Sequence, residues 1–394
     1  MRTIVKIKRA IGGIIARTIN IFTTANPKHW VFGADFGQTY REGSKYLLEY
    51  MLKEHPNYQC TFITMNHEVY LELQKKGIPC EMNISLKGIL TIASAGCVFT
   101  THAMDLYYAY PKKNRRFFYL VHGQPLKIAQ KALAKTEFWK RLNKRNIFIK
   151  LKNEAGHLLN EGNYKYEFVS ATSNFLKQYM EMDFDYEIPV KVLGMPRNDA
   201  LFDDKRMQNE KWIKGLDGKF IITYMPTHRA YGKGLVTPTP FKNRPDIQKW
   251  MKENNVVLLM KNHPNMAYKV STEQNTECII DITKMRLDPQ VCIYHSDVLI
   301  TDFSSVWMDY LLLKRPILFY IYDDFETNDA GTYYDIRLDP PGHFCYNENE
   351  LFDLIQKCRN NYEAMKPTEK IIHKYHKYID GKSCERYYNE LTKI

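Results

Sequence analysis

Strand and helix signals alternate along the chain in two consecutive series, and this alternation restricts the fold more than any other feature. The first series has short apolar runs, typical of buried strands, at residues 30–34, 59–64, 96–100, 117–121, 167–172 and 190–194, with helical stretches such as 44–53 and 68–76 between them. The second series has strands at 219–225, 256–261, 278–281, 298–301 and 317–320, with helices such as 244–253 and 304–313. Such alternation predicts an α/β protein with two Rossmann-like, parallel-sheet domains and a cleft between them.

The length of the chain also favours two domains, because 394 residues exceed the size at which one core keeps growing. We predict a helix over 1–23, an N-terminal domain over 24–196 and a C-terminal domain over 197–394, with Met195-Pro196 as the hinge. The last segment, 347–394, is largely helical in pattern and is expected to pack back across that hinge. An apolar content of 44% with 25% charged residues excludes a disordered chain.

Polar residues follow several predicted strands, at the edge where ligands of parallel sheets bind. His122 comes directly after the 117–121 strand, on a Gly/Pro turn with Lys127 behind it. A lone histidine is more often a hydrogen-bonded structural residue, and this alternative applies to His122. In the second series the strand ends carry the polar residues Thr227, Arg229, Lys261, His263, Asp302, Ser304 and Ser305, and the following helix carries Asp309.

This second group of strand ends has the chemistry of a phosphate site. Arg229 and Lys261 supply positive charge, and arginine can hold phosphate oxygens bidentately. Ser304 and Ser305 would open a helix whose N-terminus presents backbone N–H groups. Taken singly, Asp302 and Ser304 could form an ordinary helix cap and 261–264 an ordinary turn. Their matching positions in one domain predict a phosphate-bearing ligand.

Five motifs, in this order, carry a resemblance to a known family. They are HGQPLK at 122–127, GMPRNDAL at 194–201, PTHR at 226–229, KNHP at 261–264 and TDFSSVWMDYLLLKRP at 301–316. Over roughly residues 30–325 the chain resembles the CDP-glycerol glycerophosphotransferases, the wall teichoic acid primases and polymerases. The resemblance implies a GT-B-like fold, peripheral association with the cytoplasmic face of the cell membrane, and transfer of glycerol phosphate or ribitol phosphate from a CDP-alditol. The implied acceptor is a hydroxyl of a prenyl-linked or polymeric molecule, and CMP is released.

The chain departs from the family pattern on the acceptor side. Glu42-Gly43 stands where members often carry Asp-Asn, and Gln124 stands where threonine is common. We expect no extra amino-terminal module of the kind some polymerases carry, so the size is similar to that of the single-unit primases. The resemblance therefore leaves open the alditol, the acceptor and whether one unit or many are added.

The chemistry of phosphoryl transfer assigns roles to these residues. His122 is the predicted base for the acceptor hydroxyl, and His263 the predicted charge stabiliser or acid toward CMP. Arg197 and Asp199 lie at the hinge, where an interdomain salt bridge and substrate contact are both open. No DxD motif or metal-ligand spacing occurs, so neither a metal nor another cofactor is expected. The predicted substrate-binding residues are Lys127, Arg197, Asn198, Asp199, Thr227, Arg229, Lys261, Asp302, Ser304, Ser305 and Asp309.

Two basic segments indicate an anionic partner for this chain of net charge +12. The first 34 residues contain six basic residues and no acid, and Ile4, Ile7, Ile11, Ile14 and Ile15 share one face of a helix. This pattern predicts an amphipathic helix lying on an anionic membrane surface, although the helix could instead pack on its own domain. Residues 127–152 contain nine basic residues with interleaved aromatics, which suits a membrane or polyanion. Nucleic acid is the rival partner and is not expected, because no recognised binding motif accompanies the segment.

Eight scattered cysteines without a CxxC pair, and the lack of a signal-peptide pattern, predict reduced thiols in the cytosol. Two other function classes stay open. One is a GT-B sugar-nucleotide glycosyltransferase, and the other is a non-catalytic protein that binds membranes or polyanions. Transfer of label from CDP-alditols or from UDP-hexoses distinguishes the three.

Overall fold

The structure is a computed structural model that describes residues 2–102, 105–136, 165–227, 238–262, 275–285, 287–323 and 331–393, with side chains from Gly12 onward. Two predicted site residues, Arg229 and His263, lie outside the described residues. Most of the basic 127–152 segment, from residue 137 onward, also lies outside them.

The first half of the chain forms a five-stranded parallel sheet. Its strand order is β3-β2-β1-β4-β5, so the order reverses beside β1. A parallel bridge between Phe117 and Tyr166 continues from β5 toward a small two-stranded sheet, β6-β7. The strands are β1 (Asn26–Phe32), β2 (Gln59–Thr64), β3 (Cys80–Met82), β4 (Ala95–Thr100), β5 (Arg116–Tyr119), β6 (Val169–Ala171) and β7 (Val190–Val192).

The second half forms a six-stranded parallel sheet with the order β10-β9-β8-β11-β12-β13. This order again reverses beside the first strand of the half, β8. The prediction of an α/β protein built on parallel sheets is confirmed. The strands are β8 (Phe220–Tyr224), β9 (Val256–Met260), β10 (Ile279–Asp281), β11 (Val298–Thr301), β12 (Ile317–Tyr320) and β13 (His343–Cys345).

Helices connect the strands and close the chain. Short 3₁₀ turns occupy Asp35–Gly37, Pro196–Phe202 and Glu363–Met365. The α-helices are α1 (Arg2–Phe22), α2 (Glu42–Glu54), α3 (His67–Lys75), α4 (Leu86–Ser94), α5 (Gln130–Lys135), α6 (Asn174–Asp183), α7 (Asp204–Asn209), α8 (Pro245–Glu253), α9 (Pro289–Tyr294), α10 (Val306–Leu311), α11 (Glu348–Asn360), α12 (Glu369–Tyr375) and α13 (Ser383–Thr392).

The sequence located most strands but misplaced one helix that matters for the site. A helix was expected from residue 304, yet α10 begins at Val306 and ends at Leu311. Ser305 is the N-cap residue of this six-residue helix and so opens it as predicted, whereas Ser304 lies in the turn one residue earlier. Two three-residue strands, β3 and β13, were not predicted, because neither lies in an uninterrupted apolar run.

One large apolar cluster contains residues of both halves. In the first sheet the rings of Phe32, Phe99 and Phe118 stack in sequence, with centroids 4.7 and 4.9 Å apart. The same apolar cluster includes Trp307 and Phe319 of the second half, both fully buried. Burial of aromatic surface at this density makes the two sheets one packed unit.

The closing segment of the chain contacts both halves. The Lys377 amide donates to the Thr172 carbonyl of the first half at 2.8 Å, and His376 Nε2 lies 2.6 Å from the Met308 carbonyl of the second half. At the other end of the chain, α1 packs against α4 through Ala16 and Ile89. Among the described residues, no helix combines the length and the apolar character that crossing a bilayer requires.

Candidate active site

Each sheet has a crevice where its strand order reverses, at the carboxyl ends of two neighbouring strands. In the first sheet these are β1 and β4, which are followed by Phe36 and His102. In the second sheet they are β8 and β11, which are followed by Thr227 and Asp302. Parallel topology alone therefore brings the polar turns of each half to one edge.

His122 lies three residues beyond β5 and is exposed to solvent. Its Nδ1 lies 3.3 Å from the carbonyl oxygen of Thr101. Because a carbonyl only accepts hydrogen bonds, Nδ1 carries the proton of the neutral ring and Nε2 has the lone pair. Part of His122 reaches solvent, but the protein atoms packed around the ring desolvate its charged form, and this desolvation lowers the pKa of His122; Glu42 opposes the shift and Arg197 adds to it. The imidazole is therefore neutral at pH 7 and able to accept a proton.

The two halves meet beside this histidine. A methyl group added to Gly123 would lie 2.6 Å from the Ser305 hydroxyl, so the Gly123 backbone comes close to the second half at this point. A cavity of about 130 Å³ lies against the turn, with His122, Lys127, Asp183 and Ser305 among its lining residues. The predicted base and a predicted phosphate-binding serine thus share one small cavity.

The buried side chain of Arg197 forms ion pairs with both halves beside the His122 turn. Its Nε and Nη2 donate to the Asp309 carboxylate at 2.9 and 2.7 Å, and its Nη1 pairs with Glu42 at 2.5 Å. Nη1 also donates to the backbone carbonyl of His122 at 2.6 Å. Arg197 is 7% exposed and Asp309 3%, so the ion pairs lie away from water. Of the two roles left open for Arg197, the described structure contains the salt bridge between the halves.

The next two residues of the motif, Asn198 and Asp199, form hydrogen bonds with other partners. The Asn198 side-chain carbonyl accepts from Gln290 at 3.2 Å. The Asp199 carboxylate accepts from the backbone N–H groups of Ser383 and Cys384, both at 2.7 Å, at the start of α13. Burial raises the pKa of Asp199, and these hydrogen bonds oppose the rise. Asp199 lines a larger, open cavity of about 1010 Å³, and no histidine occurs among the described residues of that lining, whereas His122 lines the smaller cavity.

In the second sheet, Asp302 connects the carboxyl ends of β8 and β11 by hydrogen bonds. One of its carboxylate oxygens accepts from the Thr227 amide at 2.7 Å and from the Thr227 hydroxyl at 2.6 Å, and both residues are buried. Lys261 is half-buried and donates to the Leu287 carbonyl at 3.1 Å. Ser304 and Ser305 are half-buried in the turn that follows Asp302. These contacts fix Thr227 and Lys261 at the carboxyl ends of β8 and β9.

Sequence reasoning missed three residues around His122. Glu42 was noted only as a departure from a pattern, and His102 and Asp105 were not considered. The signal was present: the buried strand β4 runs directly into Thr-His-x-x-Asp, at the same edge of the sheet as His122. The carboxyl end of β4 adjoins the point where the strand order reverses, which is where ligands of parallel sheets bind.

Two doubly wound parallel sheets that meet at a shared polar crevice define an α/β protein of the kind that binds ligands between its halves. Comparison with protein families narrows this class. Residues 15–393 match the family described as CDP-glycerol:poly(glycerophosphate) glycerophosphotransferase, and the chain belongs to this family.

Individual relatives agree with the family. The chain is 25% identical over 378 residues to the teichoic acid poly(glycerol phosphate) polymerase of Bacillus subtilis, covering 92% of this chain and 48% of that protein. It is 24% identical to the teichoic acid glycerol-phosphate transferase of Staphylococcus aureus, covering 96% and 97%. A solved structure of the wall teichoic acid polymerase TagF shares the fold, with a TM-score of 0.74, 21% identity, and coverage of 98% of this chain and 92% of that one.

The chain spans about half the length of several polymerases that it matches, between 41% and 48% of each. Another TagF structure is of a histidine variant soaked with CDPG.

The arginine network gives a stability prediction. Replacing Arg197 by Gln leaves Glu42 and Asp309 buried without their cation, which should lower the free energy of unfolding by about 3–5 kcal/mol. Urea denaturation measures the loss. The matched control is Lys131→Gln, since Lys131 pairs with Glu187 on the surface and should cost about 0–1 kcal/mol. Equal midpoints for the two variants would contradict the role given to Arg197.

Proposed function

We propose that this chain transfers glycerol phosphate or ribitol phosphate from a CDP-alditol to a hydroxyl of a prenyl-linked or polymeric acceptor, and that CMP is released. The observation that carries the proposal is the position of His122. Its Nε2 lone pair is available in a crevice where Ser305, from the half predicted to bind the donor, comes within contact of Gly123. Family membership and the names of the relatives support the same chemistry.

In the proposed reaction His122 is the general base. The acceptor hydroxyl gives its proton to Nε2 while its oxygen attacks the phosphorus that bears the alditol, and the bond to the CMP oxygen breaks. Burial keeps the imidazole neutral, and the Thr101 carbonyl keeps the proton on Nδ1. The imidazolium that forms lies near Glu42, whose carboxylate favours the charged ring.

The donor diphosphate is proposed to bind at the strand ends of the second sheet. Lys261, Arg229 and Ser305 would meet the charge on the phosphoryl oxygens, and His263 would assist the departing CMP. Asp302 supports this arrangement because it holds the end of β8 against the end of β11, and so places Thr227 beside the Ser304 turn. Positioned donors of this type are worth more in a crevice than in bulk water.

A division of labour between the halves follows. Residues 24–196 are proposed as the acceptor-side domain and residues 197–394 as the donor-side domain, with closing helices that return to the hinge. Lys127 lines the same cavity as His122, which suits an anionic acceptor. Arg197 and Asp309 are proposed to act from the hinge, by fixing the His122 backbone relative to the donor side.

We also propose that α1 lies on the cytoplasmic face of the cell membrane, as part of a peripheral attachment. Gly12 and Ala16 turn toward Tyr108, whereas Ile21 is 77% exposed and Phe22 84% exposed. At 100° per residue, Phe22 falls within the apolar arc that includes Ile4 and Ile21 lies at its edge, whereas Arg2, Lys6 and Arg9 lie on the opposite side. Apolar side chains that remain exposed while the helix packs through another face suit an anionic lipid surface.

A donor panel tests the proposed reaction. We expect the purified chain to transfer label from CDP-glycerol or CDP-ribitol to a membrane-extracted lipid acceptor, with release of CMP. UDP-hexoses serve as the control donors. Transfer from a UDP-hexose, or no transfer from any donor, would contradict the proposal.

The role of His122 gives a kinetic prediction. His122→Ala should lower turnover by at least about 10²-fold, because the acceptor hydroxyl loses its base. Binding of the CDP-alditol, measured by calorimetry, should be retained. Since the pKa of His122 is lowered, the acidic limb of the wild-type pH–rate profile should lie below the ordinary histidine value of 6.5, and the variant should lack this limb. Turnover near the wild-type level in a folded variant would rule out this mechanism.

The membrane proposal is tested with exposed side chains rather than by deletion, since removing α1 would uncover Tyr108 and Ile89. The double variant Ile21→Ser, Phe22→Ser should sediment less with anionic phosphatidylglycerol vesicles than the wild type, and raised salt should weaken both interactions. Leu338→Ser, at an 86% exposed position far along the chain, is the control. Equal sedimentation of all three would show that α1 is not the attachment.

A further inference from the structure

Three aromatic rings stack in a row within the crevice. The ring of His102 lies parallel to that of His122, with an angle of 8° and centroids 4.5 Å apart. Phe36 covers His102 from the other direction, with centroids 4.4 Å apart at 37°. The row begins at the end of β1, continues at the end of β4 and finishes on the turn after β5. It therefore connects three neighbouring strands of the first sheet at their carboxyl ends.

A buried carboxylate anchors the row. Asp105 is fully buried and accepts from the backbone N–H groups of Thr101, His102 and Phe36 at 2.5, 2.8 and 2.6 Å. It also accepts from the Thr101 hydroxyl at 3.0 Å, and it lies 3.7 Å from Nδ1 of His102. A single carboxylate thus fixes the backbone of two of the three stacked residues.

The turn that presents Phe36 is strained. Asp35, Phe36 and Gly37 have φ angles of 49°, 56° and 73°, in the left-handed region that non-glycine residues rarely adopt. Asp105 and the Thr101 hydroxyl hold this turn by accepting from the Phe36 and Asp35 amides. Backbone strain of this kind persists where surrounding contacts over-determine it, and it concentrates at functional sites.

We propose that His102 is a positioning residue for His122, whose imidazole it holds in the catalytic plane by stacking. The hydrogen bond from Nδ1 to Thr101 fixes one atom of the His122 ring but permits rotation about that bond. The flat face of His102 opposes this rotation, so Nε2 keeps its direction into the crevice. The proposal rests on the proposed function of His122 as the base, and it adds a residue outside the motifs that carry the family resemblance.

Stacking by His102 should also affect the pKa of His122. Glu42 from α2, Arg197 from the hinge and Lys127 from the same turn face His122, and His102 with Asp105 covers it from β4. The ring of His102 excludes water from one face of His122. Removing that ring should admit water and move the His122 titration upward toward its ordinary value.

Three substitutions in the full-length chain test the proposal. His102→Phe keeps a flat ring, whereas His102→Ala and His102→Gln remove it. We expect His102→Phe to retain turnover within about 3-fold, and the other two to lose about 10- to 100-fold in kcat, because small misplacement of a catalytic group has effects of this size. KM for CDP-glycerol should stay unchanged in all three, since the donor binds to the other half.

Histidine-ring NMR titration provides a readout that does not depend on turnover. The His122 signal is assigned by its loss in His122→Ala. Its titration should move to higher pH in His102→Ala and His102→Gln but not in His102→Phe. His373→Ala, at an exposed position, is the control for a non-specific effect of removing a histidine. A purely structural His102 would lower the melting temperature in all three variants and leave the His122 titration where it was.

The outcomes separate this proposal from the one on which it rests. Full turnover in His122→Ala would end the role of His122 and with it the role of His102. An inactive His122→Ala combined with normal kcat and unmoved titration in His102→Ala and His102→Gln would overturn the positioning role alone. Equal loss in His102→Phe and His102→Ala would also overturn it, because the nitrogen atoms rather than the stack would then matter.

Discussion

The buried guanidinium of Arg197 is the interaction on which the rest of the structure depends. It lies between Glu42 of the first half and Asp309 of the second, and it holds the His122 carbonyl. A buried cation is tolerated only where carboxylates and hydrogen bonds replace its water. The two halves therefore cannot separate without leaving charges unpaired. The same face of α2 adds Lys45, which pairs with Asp288, so one helix joins the first sheet to the second half.

Because the halves are joined in this way, the proposed active site depends on their interface. Gly123 touches Ser305 only because the hinge network brings the His122 turn against the turn before α10. The two departures from the family pattern take part in this scaffold. Glu42 reaches Arg197, and the side chain of Gln124 bonds the backbone of Ser170 and Thr172 through both its amide nitrogen and its oxygen. They position the His122 turn, which we propose lies on the acceptor side.

Buried aspartates organise the loops in the same manner throughout. Asp105 gathers the turns after β1 and β4, Asp302 joins the ends of β8 and β11, and Asp199 binds the start of α13. In each case a carboxylate accepts backbone N–H groups that strands and helices leave unsatisfied at their ends. Burial raises the pKa of Asp105 to about 6, so the ionised state depends on these donors. Loops that carry function are thereby held as firmly as the strands.

The sequence by itself determined the parallel sheets, most of their strands and the turn that bears His122, because apolar runs and strand ends are local patterns. Only the tertiary structure decided which neighbours in a motif act together. Arg197 faces His122 and Asp199 faces α13, although they are two residues apart. The stack of His102 on His122 was equally hidden, since parallel pairing places side by side strand ends that are far apart in the chain. Local periodicity records which face of an element is buried, but not which distant residue will meet it.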